Sequence, residues 1–177
     1  MKKRLVLPNE ASNGEQNNDY LQDLAFGERL LIHCDADKRE VHKNILAACV
    51  ILGTFLTTMI RIRPHRLEYG VKNPEYEIDG LLADRKGIES EKGIKWGFIS
   101  AIKQGCKVVV IDLNDRMYSK PLRINTISKM IRWRRKDFEQ GKILRCYIVY
   151  HCRAIVVENE DILDLEQIRT IIKKLKP

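Results

Sequence analysis

Apolar residues recur at three- and four-residue steps at Val41, Ile45, Ala48, Leu52 and Phe55, the stripe of a core-facing helix that Asp35 or Asp37 is placed to cap. The preceding GERLLIHCD reads as a strand of about five residues. In TTMIRIR, strict alternation puts Met59, Arg61 and Arg63 on one strand face and Ile60 and Ile62 on the other, until Pro64 ends the run. EYEI and LLADRK flank Asp79-Gly80, a pair that tolerates positive φ, so the two segments are expected to close as a tight hairpin. A helix follows from Gly93 to Gln104, with Ile94, Phe98, Ala101 and Ile102 as its apolar side, and then KVVVIDL has the unbroken apolar character of a fully buried strand. The rest reads as a helix from Pro121 to about Phe138, two strands around Tyr147 and Val156, and a helix from Leu163 to Leu175 suited to the core or a dimer seam. This order predicts an α/β protein with an α+β mixed sheet. Residues 1–19 are expected to be a short strand and a flexible connector, because NEASNGEQNND has turn formers and no periodicity, and residues 20–177 a single domain.

At 177 residues, 44% hydrophobic and 32% charged, the chain is long enough for one core and too apolar for general disorder. The longest apolar run, Ile45 to Met59, is interrupted by Gly53, Thr54, Thr57 and Thr58, so no membrane span is expected. Met1 to Pro8 lacks the apolar stretch of a secretory signal, and the cytoplasm is the expected compartment. Five cysteines without a CxxC pair argue against a zinc framework and for small thiols in or near the core. The net charge of +8 sharpens the picture, because Lys103 to Arg153 holds 13 Lys or Arg against four acids. That local excess suits a nucleic-acid backbone, although charge alone fits a merely basic surface equally well.

Candidate chemistry concentrates on the hairpin. Asp84 and Lys86 share strand parity and therefore a face, and Glu75 lies across the turn near the far end of the partner strand. Two carboxylates suit a hard divalent ion, and a neighbouring ammonium can steady the attacking water or the charge on a phosphorane, as metal-assisted phosphodiester cleavage requires. The same charges are equally compatible with a solvated edge hairpin that resists aggregation. Lys103 ends a helix, where a cation can reach a phosphate or complement the helix dipole, and Gln104 can orient a water or cap the helix. Arg61, Arg63 and His65 form a basic stretch suited to phosphate binding or proton donation. Arg123, Lys129, Arg132, Arg135 and Lys136 crowd one helix as a surface able to track a nucleic-acid backbone, with Trp133 beside them. His33 and His151 are expected in the core or at its rim, and no P-loop, GxSxG or HExxH motif occurs.

Written out, Pro74-Glu75-x8-Asp84-x-Lys86 within a helix–strand–hairpin–helix–strand order resembles the αβββαβ core of PD-(D/E)xK nucleases. The stretch from Asn73 to Val157 is similar to the C-terminal tRNA-nuclease domain of contact-dependent growth inhibition (CdiA-type) toxins. It carries Asn73-Pro74-Glu75-Tyr76-Glu77-Ile78-Asp79-Gly80, Asp84-Arg85-Lys86, Ala101-Ile102-Lys103-Gln104 and Val109-Val110-Ile111-Asp112-Leu113. Glu75 stands where that family usually has Asp, and Asp84 where it often has Glu. The resemblance implies a PD-(D/E)xK-like fold with an extra helix, a hairpin and a C-terminal helix. It implies RNA cleavage, tRNA being the expected substrate, hairpin acids at the site, a lysine near the end of the next helix, and a further helix acid for which Glu40 is the candidate.

The resulting expectation is a metal-dependent nuclease with Glu75 and Asp84 as ligands to Mg or Zn and Lys86 or Lys103 as electrostatic catalyst. Glu75, Asp84 and Lys86 are expected to converge on one solvent-accessible cleft that the Arg123 to Lys136 face adjoins. RNA or DNA is the expected partner, with a cognate immunity protein as a further candidate and no membrane. A DNA endonuclease on the same scaffold stays open. So do a metal-independent barnase/RelE-like RNase using His65, Lys86 and Arg63, and an inactive relative that only binds nucleic acid or protein.

Overall fold

In a computed structural model, which describes residues 19–115 and 122–176, eight strands form one mixed sheet in the order in which they occur along the chain. The strands are β1 (Tyr20–Asp23), β2 (Gly27–His33), β3 (Ile60–Ile62), β4 (Tyr76–Ile78), β5 (Leu81–Gly87), β6 (Val108–Asp112), β7 (Arg145–Tyr150) and β8 (Arg153–Glu158). The helices are α1 (Val41–Thr54), α2 (Gly93–Lys103), α3 (Ile124–Arg132), α4 (Arg135–Glu139) and α5 (Leu165–Lys173). Parallel pairing joins β2 to β3, β5 to β6 and β6 to β7, each across a helical connection, while the hairpins β1–β2, β4–β5 and β7–β8 are antiparallel. The expected α+β mixed sheet is the observed architecture.

Strand parity divides the core in two. Ile60, Ile62, Tyr76, Ile78, Ala83, Val108 and Val110 point to one face, where they pack with Ala48, Ile51 and Leu52 of α1. Val109, Ile111, Cys146, Ile148 and Val157 point to the other and pack with Phe98 of α2, Ile127 and Ile131 of α3 and Ile168 and Ile172 of α5. β6 is buried on both faces along its whole length, which is why it reads as an unbroken apolar run. Asp79 and Gly80, at φ of 50° and 78°, make the expected hairpin turn. The Asp79 carboxylate also accepts from the Met59 backbone (2.9 Å) and from Arg145 (2.9 Å), so the turn tip is tied to β3 and β7.

Several expectations shift. The first helix begins at Val41, after a turn in which the Val41 N–H donates to the Asp37 carbonyl. Its buried line runs through Asn44, Ala47, Ala48, Ile51 and Leu52, with Val41 and Ile45 at the margin. The helix expected from Pro121 to Phe138 is two helices, the break falling at Arg134, whose φ of −92° and ψ of 9° depart from the helix and whose guanidinium lies over the Phe98 ring, while Trp133 stays exposed. Cys106 and Cys146 are buried as expected, but Cys34 and Cys152 are exposed. His151 sits in the β7–β8 turn at φ 50° and not in a strand. β1 has no counterpart in the sequence reading, and the expected strand at Met1 to Pro8, with the connector to residue 18, lies outside the described residues.

Candidate active site

The β4–β5 register pairs Tyr76 with Ala83, so Glu75 falls opposite Asp84. The β3–β4 register likewise brings Arg63 beside Glu75, where the Arg63 N–H donates to the Glu75 carbonyl (2.9 Å). Because Arg63, Glu75, Asp84 and Lys86 all have the parity opposite to the α1-facing residues, they share the sheet face that carries α2. α2 comes close here. A Cβ on Gly97 would stand 3.0 Å from Ile111 and 3.4 Å from the Lys86 side chain, so glycine is the residue that lets the helix lie over this part of the sheet.

Within the cluster, Lys86 Nζ is 2.7 Å from Asp84 Oδ2. The Arg85 N–H donates to Glu75 Oε2 (3.2 Å). Asp84 is 1% exposed, so the open cleft expected around it is instead a nearly closed site whose wetter members are Glu75 and Lys86. The burial of Asp84 follows from its position on a central strand under α2. Electrostatics show the strain of packing two acids together. Burial, then the Asp84 charge, pushes Glu75 up to about 7, against the opposing pull of Arg85 and Lys86. Burial also raises Asp84, with Lys86 as the main counterweight. Cys106 feels the same charges, and burial followed by Asp84 pushes its thiol up to about 12, making it a poor nucleophile.

Arg85 has the other parity and is not among the residues the sequence marks as a site. It is 4% exposed and threads to the α1 side, where Nε donates to Asn44 Oδ1 (2.8 Å), Nη1 to Asp112 Oδ2 (3.0 Å) and Nη2 to Glu40 Oε2 (2.7 Å). The Tyr76 hydroxyl donates to the Asn44 carbonyl (2.8 Å) beside it. Glu40 therefore belongs to a polar network on the opposite side of the sheet from Glu75 and Asp84. The available signal was alternation itself, which sends Arg85 away from Asp84 and toward the end of VVVID. The network holds α1, β5 and β6 in fixed relation, and the Arg85 backbone then holds Glu75.

Gln104 caps α2, and its Oε1 accepts from the Asn73 N–H (3.0 Å), so it anchors the segment leading into Glu75. Lys103 is exposed at the last turn of α2. Arg61 pairs with Glu77 (3.3 Å) on the face that carries Glu75. His65 Nδ1 is 3.8 Å from Asp37 Oδ2 at the far end of the β3 exit. Arg123, Lys129 and Lys136 are exposed and Arg132 is half-buried, while Arg135 pairs with Glu139. The helices that carry Arg123 to Lys136 have their main packing partners elsewhere than the hairpin. α2 packs on β5 and β6 and α3 packs on α2 and α5, so one helix stands between the basic face and the hairpin. Elsewhere, potential ligand atoms of His33, Cys34 and Asp35 come within 4.8 Å of one another, but His33 Nδ1 already accepts from the Asp35 N–H.

Fold and cluster together define a mixed α/β domain with a desolvated acid, acid and lysine site on one sheet face. Residues 72–146, which contain that site, match the family described as the contact-dependent growth inhibition CdiA C-terminal domain. A solved structure, "CdiA-CT/CdiI toxin and immunity complex from Burkholderia pseudomallei", superposes with a TM-score of 0.44 at 15% identity over 70% of this chain and 89% of that one. No site correspondence follows from so loose a likeness. No curated protein matches the chain. Among the described residues no helix is long and apolar enough to cross a membrane.

Proposed function

We propose that this chain is a toxin nuclease that hydrolyses RNA phosphodiesters, tRNA foremost, with a divalent cation held by Glu75 and Asp84. The observation that carries the reading is the register-enforced opposition of two desolvated carboxylates with Lys86 bonded to one of them. Hard carboxylate oxygens are the donor set that Mg²⁺ prefers, and acids pushed toward the neutral form by each other are a site in which a cation relieves repulsion. When bound, the cation supplies a more acidic water and an electrophilic contact to the phosphoryl oxygens. Lys86, fixed by Asp84 and still partly open to solvent, places its ammonium where charge grows on the phosphorane. Glu75 lies at the wetter edge of the pair, and because burial and Asp84 favour its protonated form, cation binding there would release a proton. The site of action is the cytoplasm of a cell, and a cognate immunity protein is the expected protein partner of a domain of this family.

The test is incubation of the purified chain with total tRNA and with plasmid DNA, in excess chelator and in Mg²⁺, Mn²⁺ or Zn²⁺. Metal-dependent RNA cleavage that falls by orders of magnitude in Asp84→Asn, with the far-UV circular dichroism of the folded chain retained, supports the reading. Cleavage of DNA alone moves the substrate. Cleavage in chelator by a fully active Asp84→Asn protein overturns the metal mechanism.

A further inference from the structure

Between β3 and β4 the chain makes an excursion over residues 64–73 that is anchored at its base and open at its tip. Asn73 is the anchor. Its Oδ1 accepts from the Arg66 N–H (2.8 Å), its Nδ2 donates to the Arg66 carbonyl (2.9 Å), and its own N–H is held by Gln104 of α2 (3.0 Å). At the tip, Leu67 is 90% exposed and Tyr69 fully exposed. The Tyr69 ring therefore has its faces open to solvent. Arg63, Arg66, Lys72, Asn73 and Pro74 line a cavity of about 210 Å³, so three cationic side chains border it. That volume leaves room for a tetrahedral oxyanion together with its water. The cavity abuts the acid cluster, because Pro74 lines it and the next residue is Glu75, while the Arg63 backbone bonds the Glu75 carbonyl.

We propose that this loop grips a single-stranded RNA segment, the cationic cavity holding one backbone phosphate beside the scissile bond and Tyr69 stacking on the adjoining base. The inference rests on the nuclease reading and names the subsite that presents substrate to Glu75 and Asp84. Phosphate contacts give affinity without sequence preference, and an exposed aromatic ring offers a π-face to any unpaired base. The loop leads into β4 of the hairpin and is tied at Asn73 to the end of α2, whereas the basic residues belong to α3 and α4.

The experiment measures binding of a fluorescein-labelled single-stranded RNA decamer to the full chain carrying Asp84→Asn, which removes cleavage from the readout. Adding Tyr69→Ala should weaken binding roughly 10- to 100-fold and Tyr69→Phe should restore most of it, because stacking needs the ring and not the hydroxyl. Combining Arg66→Ala with Lys72→Ala should lower the slope of log affinity against log salt by about 0.7 for each lost phosphate contact. Melting temperatures of all these variants should match the parent, since the altered side chains are exposed. Unchanged affinity and unchanged slope in these variants overturn the proposal, as does selective loss of binding to a protein partner with RNA binding intact. A wild-type chain that cuts no RNA while the Tyr69 and Arg66/Lys72 effects persist refutes the nuclease reading and leaves the grip standing as a binding site. Normal cutting without those effects refutes the grip alone.

Discussion

Replacing Glu75 by Gln tests the electrostatic core of the site directly. Glu75 Oε2 accepts from the Arg85 N–H, and a glutamine oxygen can do the same, so the substitution removes the charge with little change of shape. In the folded chain Glu75 keeps its proton up to about 7, against an ordinary 4.5. Between those values the native state binds more protons than the unfolded state, so this residue makes stability fall as pH rises, and the full penalty is present above pH 7. At about 1.4 kcal/mol per pH unit the penalty is about 3 kcal/mol. For a chain of this size that corresponds to a melting temperature about 6–12 °C higher for Glu75→Gln at pH 8. The advantage should shrink toward zero as pH falls to 4.5. Thermal unfolding of both proteins by circular dichroism from pH 4.5 to 8.5 reads this out. Mg²⁺ should stabilise the wild type at pH 8 and the variant much less, because cation binding and charge removal relieve the same repulsion. Parallel stability curves for the two proteins, with or without Mg²⁺, would show that Glu75 is an ordinary solvated acid.

Arg85→Ala should cost about 3–5 kcal/mol in urea unfolding, since it strips the cation from Asp112 and Glu40 and leaves Asp112 buried and unpaired; a loss below about 1 kcal/mol would mean the network is ornamental. Lys86→Ala should lower kcat for RNA cleavage by about 10²–10³-fold. Lys103→Ala, which removes an exposed ammonium at the end of α2, should change kcat by less than about tenfold, and the reverse ranking would transfer the electrostatic role to Lys103. Reversing charge at Arg132 and Arg135 together should weaken tRNA binding and flatten its salt dependence while leaving cleavage of a short single-stranded oligonucleotide unaltered, because these residues lie beyond α2 from the hairpin.

Local rules account for the parts of this protein that one strand or one turn decides. The Asp79-Gly80 turn sets the hairpin register, and with it the opposition of Glu75 and Asp84, because a two-residue turn leaves no freedom in pairing. The double burial of β6 and the shared face of Asp84 and Lys86 follow from composition and parity, which a chain carries in its order of residues. What neighbours distant in sequence decide was not legible there. Asp84 and Lys86 look like surface charges until Gly97 lets α2 lie over them. Arg85 looks the same until α1 arrives from 41 residues away with Asn44. The split between α3 and α4 falls at Arg134, whose guanidinium lies over Phe98 of another helix, a contact that helical periodicity cannot anticipate. The separation of the basic face from the acid pair is likewise a matter of which helix packs between them. Periodicity tells which side of an element is apolar, and only the packed structure tells what that side meets.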